Sequence, residues 1–146
     1  MIMDITTQFS SAQAITADAA STNTIDLGQP GTVLGAGAAI RRDIGPGSGV
    51  PIVVTVTETF TLLTSMNILV QTDDNTSFSS AKTVYRSPEY VLADLVVGAK
   101  FLLPDWLPVG TDERYVRLYY DITGTAPDAG KVTAGVVMAR QNNRNQ

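Results

Sequence analysis

Asp73-Asp74-Asn75-Thr76-Ser77 is a run of five oxygen-bearing side chains, and clustered oxygen donors are what a hard cation such as calcium takes as ligands. Counted from Asp73, however, the sixth position is Phe78 rather than Gly and the twelfth is Val84 rather than Glu, so the run does not follow the EF-hand pattern. Asp, Asn and Ser are equally the residues of a turn that follows a strand, and we read the run as such a turn. Asn75-Thr76-Ser77 also fits a glycosylation acceptor, which has meaning only in an exported chain. Glu58, Glu89, Asp94, Asp105, Asp112 and Glu113 are a second source of chemistry, because glycoside hydrolysis needs two carboxyl groups at a fixed separation. Acids beside turns are ordinarily just solvated. Glu58, on an otherwise apolar strand face, fits a strand end or an ion pair with an arginine. Gly35-Ala-Gly-Ala-Ala-Ile40 begins like a dinucleotide fingerprint, but Ile40 fills the third small position and no P-loop lysine accompanies it. It reads as a flexible loop.

The chain has no histidine and no cysteine. Ser-His and Cys-His catalysis, thiolate or imidazole metal sites and disulfides are thereby removed together. No enzyme, cofactor or metal is expected on these grounds, and function is sought in surfaces. Tyr90, Trp106, Tyr115 and Tyr119 offer three readings: cross-strand packing, a protein interface of the kind enriched in Tyr, Trp and Arg, or a sugar-stacking platform. We rank them in that order. Tyr115, Arg117 and Tyr119 share one face of a strand, which makes that face a candidate contact surface.

At 146 residues the chain is long enough for one domain with a real core, and residues 1–146 are read as that domain. It is 44% hydrophobic and 16% charged, with a net charge of −4. A nonspecific grip on nucleic acid requires a basic patch, so no nucleic-acid partner is expected. No apolar run approaches a membrane span, so no membrane partner is expected either. With no basic region ahead of an apolar core near Met1, no secretory signal is expected.

The elements that must hold these residues are strands. The 9–27 region reads as two strands, 11–16 and 22–27, with Ala19-Ala20-Ser21 as the bend. Seven glycines and two prolines between 28 and 49 leave a long loop or arm, interrupted by Ile40-Arg-Arg-Asp-Ile44. Further strands are expected at 52–60, 67–72, 82–86 and 100–103, while 90–97 fits a strand or one helical turn. The closing stretch, 114–140, reads as a β-hairpin around a Gly/Pro/Asp turn, with Val116, Leu118, Tyr120 and Ile122 on one face. About eight short strands without a long helix predict an all-β, antiparallel two-sheet sandwich of jelly-roll type, with an open barrel as the alternative. Residues 141–146 form a short polar tail.

Several segments carry a family likeness: Gln8-Phe-Ser-Ser-Ala-Gln-Ala-Ile15 with Ile25-Asp-Leu-Gly28, Arg42-Asp-Ile-Gly45, Leu69-Val-Gln-Thr-Asp-Asp-Asn75 with Phe78-Ser-Ser80, and Arg114-Tyr-Val-Arg-Leu-Tyr-Tyr120 with Gly130-Lys-Val-Thr-Ala-Gly135. In this order they resemble the jelly-roll capsid cement proteins of tailed bacteriophages, of the type on Bordetella phage heads. The resemblance implies a non-enzymatic virion protein, a homodimer or homotrimer, bound to the major capsid protein on the outer surface of the expanded head. On that reading Arg41, Arg42 and Asp43 would make charge-assisted contacts from the long loop, with Tyr115, Arg117 and Tyr119 at an oligomer or capsid interface. A carbohydrate-binding jelly-roll module is the alternative from another class, and a hydrolase comes third.

Overall fold

The computed structural model describes residues 2–45 and 49–138. Ten strands, β1 Met3–Ala14, β2 Ala19–Ala20, β3 Ile25–Asp26, β4 Ile52–Glu58, β5 Leu63–Asp73, β6 Lys82–Arg86, β7 Tyr90–Val91, β8 Lys100–Leu102, β9 Tyr115–Gly124 and β10 Lys131–Val137, form two antiparallel sheets. One sheet runs β1-β10-β4-β8 and the other β2-β9-β5-β6, with β3 also on β9 and β7 also on β5. Since β2 and β3 share one edge of β9, and β6 and β7 one edge of β5, the described residues fill eight strand positions. Their order, 1-8-3-6 facing 2-7-4-5, is the jelly roll.

Period-2 alternation builds the core between the sheets. Ile52, Val54 and Val56 of β4 and Val132 and Ala134 of β10 face Met66, Ile68 and Val70 of β5 and Val116, Leu118 and Tyr120 of β9, all buried. Each large aliphatic side chain so placed is worth roughly 1.5–3 kcal/mol over leaving it in water. The one polar atom of Tyr120 is matched by the Ser10 hydroxyl at 2.8 Å, which ties β9 to β1 across the sandwich. On the far side Tyr90 stacks on Phe101 with centroids 4.0 Å apart, tying β7 to β8.

The closing stretch is not a hairpin. β9 pairs with β5, β2 and β3, whereas β10 pairs with β1 and β4, so residues 125–130 cross from one sheet to the other. The alternation that marks both strands says which faces are apolar, and it is indifferent to which edges pair. Pro127 is buried in the crossover, and Gly130 ends it at φ 138° beneath the Phe60 ring.

The N-terminal strands also differ from expectation. Strand β1 begins at Met3 and carries three register shifts, so its bulged first half, with Ile5 exposed, shows no clean alternation. Ala19 and Ala20 pair with β9 instead of bending; the bend is at 16–18. Residues 90–97 combine the two expectations, a two-residue strand followed by a 3-10 turn at Leu92–Asp94. No strand lies between Asp26 and Ile52 among the described residues, as the glycine content requires. The 141–146 tail lies outside the described residues.

The jelly roll sorts its connections to two ends. The long loop, the 73–82 turn and the 102–115 connection lie at one end, with the start of β1 and the finish of β10. We call this the arm end.

Candidate functional site

Residues 29–41 are all exposed and project as an arm whose base is clamped to the body. At the departing limb, Asp26 accepts the Gly28 N–H at 2.7 Å and holds the Arg114 guanidinium through two bonds of 2.8 and 2.7 Å. Those donors, Arg114 first, lower the Asp26 carboxyl to about 2. Arg42 donates to the Leu27 and Gly28 carbonyls. At the returning limb, Asp43 accepts the Gly110 and Gly45 N–H groups at 2.7 and 2.9 Å, and the Gly110 bond leads in holding its carboxyl below the usual range. Gly45 fits because it has no side chain: a Cβ there would stand 2.0 Å from the Pro108 carbonyl oxygen. The Ile44 N–H donates to Thr111 O and the Val50 N–H to Asp105 O, so this limb lies along the 105–111 loop.

Arg41 reaches Asp112 at 3.0 Å, with Lys82 on the other carboxylate oxygen at 3.9 Å, and Arg41 is foremost in lowering the Asp112 carboxyl. Its side chain is still 83% exposed. Of the three loop residues singled out in the sequence, then, Arg42 and Asp43 are engaged within the chain as arm anchors, while Arg41 keeps most of its surface in water. A polar cleft of about 360 Å³ opens between Gly28, Pro30, Arg42, Asp74, Glu113 and Arg114.

Tyr115, Arg117 and Tyr119 do share the outer face of β9, half-buried. The Arg117 guanidinium lies 4.0 Å from the centroid of the Phe78 ring and 5.8 Å from that of Tyr119, and its Nε donates to Gln71 at 2.9 Å. Burial pushes its pKa below the ordinary arginine value. Further along, Arg86 bridges Asp121 at 2.7 Å and Asn67 at 3.0 Å. The outer face of this sheet thus carries polar and aromatic groups bonded across neighbouring strands.

The four candidate aromatics are not brought together. Tyr90 is stacked between the sheets, Tyr115 and Tyr119 lie on β9, and Trp106, 60% exposed, stands in the arm-end loop. The six carboxylates also scatter: Glu58 closes β4 and pairs with Lys131 rather than an arginine, Glu89 accepts from Ser65, and Asp112 belongs to the arm clamp. Asp73 is buried, which by itself would raise its pKa, yet the N–H groups of Asn75 and Ser80 and the Ser80 hydroxyl hold it low. That is a turn's bonding pattern. Among the described residues, no group of three or more Asp, Glu, His or Cys side chains is placed to hold a metal ion.

The sequence reading missed the apolar side chains of the arm end. Val33 is 55% exposed, Leu34 fully, Ile40 55% and Val109 80%; Trp106, singled out above, is exposed at the same end. Their signal was present as large apolar residues set among Gly, Pro and Thr, where no periodic element could bury them.

Set against known protein families, residues 9–136 match the model of a family described as Bbp16, the name of a Bordetella phage protein. No curated protein matches the chain.

Proposed function

The chain belongs to the phage-associated Bbp16 family, and from that membership we propose that it is a capsid cement protein, bound to the outer surface of the mature icosahedral head and bridging major capsid subunits. The observation that carries this reading is the family match over 9–136, which takes in nearly all of the segments that resemble phage cement proteins. A rigid two-sheet body with a clamped, projecting arm supports it, because such a body holds neighbours together by contact alone and needs no reactive group. Repetition on the head lattice adds the contacts of many copies, so modest single-site affinity suffices.

In this reading the protein is not an enzyme and takes no cofactor. The half-buried Tyr115, Arg117 and Tyr119 face serves self-association into a dimer or trimer, because Tyr and Arg are enriched at protein interfaces. The sugar-binding alternative lacks a stacking platform, because Trp106 is the one well-exposed aromatic ring among the described residues.

The test is direct. Mixed with expanded heads that lack it, the purified chain is expected to bind saturably and in fixed ratio to the capsid subunits, and to leave fully decorated heads alone. Absence of binding to undecorated heads overturns the proposal.

A further inference from the structure

The arm end differs from the rest of the surface in chemistry. From Gln29 to Ile40 there are twelve residues without one charged side chain. The tip is a turn closed by Ala36 N–H on Val33 O at 2.9 Å, with Gly35 at φ 85° in the third position, as a type II turn requires. Leu34 takes the second position, which aims its side chain away from the body and leaves it fully in water. A second bond, Ile40 N–H on Gly31 O at 2.9 Å, closes the arm behind the turn.

An apolar tip of this kind is costly in an isolated protein unless it meets a partner. Here the clamp of Arg42, Asp43 and Asp26 fixes both limbs at the base of the arm, which reduces the conformational freedom lost on docking. Trp106 and Val109, also exposed, stand on the loop to which the returning limb is bonded. The charges nearest the base are paired with one another, Arg41 with Asp112 and Arg114 with Asp26. Beyond the base, the 29–40 stretch offers a partner no charged side chain.

Resting on the cement reading, we propose that the arm end is the head-binding surface, with Leu34 as the anchor that enters an uncharged, apolar-walled depression on a major capsid subunit and Trp106 packing beside it. The sandwich then stands end-on to the shell. The outer face of β9 stays clear of the shell and free for a second copy. The partner is the shell and not another copy, because the arm lies at an end of the sandwich, away from the outer β9 face to which the cement reading gives self-association.

The test compares two full-length variants carrying the same chemical change at opposite ends, Leu34→Asp at the arm tip and Val97→Asp, whose side chain is 64% exposed at the other end. Both positions are solvent-facing, so folding, followed by circular dichroism and melting, is expected to be retained. With undecorated expanded heads, Leu34→Asp is expected to weaken binding roughly tenfold or more, the effect of losing a buried leucine anchor and burying a charge instead. Val97→Asp is expected to bind as the parent does. Equal binding by the parent and Leu34→Asp overturns the inference and leaves the cement reading standing. A Leu34→Asp variant that dissociates the free oligomer while binding heads normally overturns it too, by assigning the arm to self-contact. Failure of the parent itself to bind removes the cement reading, and the inference with it. Should Leu34→Asp misfold, Leu34→Ser carries the same comparison. Because the chain has no cysteine, Leu34→Cys also gives a unique attachment point for a photo-crosslinker, and crosslinks to the major capsid subunit are the expected product.

Discussion

At Gly130 a single residue decides how the last strand reaches its sheet. Its φ of 138° lies where side chains are rarely accommodated, and an added Cβ would fall 2.3 Å from the Phe60 ring. Gly130→Ala is therefore expected to lower stability by about 2–4 kcal/mol, from backbone strain and overpacking together. Urea denaturation checks this, and an unchanged midpoint would contradict it. Gly45 is constrained differently, by the close approach of Pro108 and without unusual dihedrals. Both glycines were visible in the sequence as glycines only. What each one touches depends on residues distant in sequence, and no local pattern carries that.

Among the elements, alternation made β9 legible, because it buries one face and shows its period directly. The first half of β1 was not, since its bulges break the period and its Ile5 points to water. Pairing was less legible still. β9 and β10 look like a hairpin because they are adjacent and alternate, but each finds its neighbours in a different sheet. The arm was readable as a loop from its glycines, and Arg41, Arg42 and Asp43 stood out within it. The anchor role of Arg42 and Asp43 depends on carbonyls of Leu27 and Gly28 and the N–H of Gly110, which sequence does not bring near. The clamp has a pH signature. Asp26, Asp43 and Asp112 all have carboxyls held below the ordinary value near 4, so the folded state binds their protons more weakly than the unfolded one. Their contribution is fully present above about pH 4–5 and is lost as pH falls through the lowered values, toward about 2 for Asp26. The Gly45 and Gly110 amide resonances, which report the Asp43 bonds, are expected to hold steady from pH 7 to about 5 and to move only below about 4. Movement centred near pH 6 would contradict this.

For the whole molecule, the jelly roll separates two surfaces that the sequence could present only as one list of candidates. The outer face of the β2-β9-β5-β6 sheet is polar and aromatic; the arm is apolar, uncharged at its tip and held by a clamp. A cement protein has use for both, one toward its own copy and one toward the shell. The fold also turns most of its large exposed apolar side chains to the arm end, which an unattached sandwich has no reason to do. The account stands or falls on whether the chain strengthens a head. The measurement is the heat-disruption temperature of DNA-filled heads lacking the chain, before and after its addition in excess. A rise that saturates as the sites fill is the result this account predicts, and an unchanged disruption temperature at full excess would contradict it.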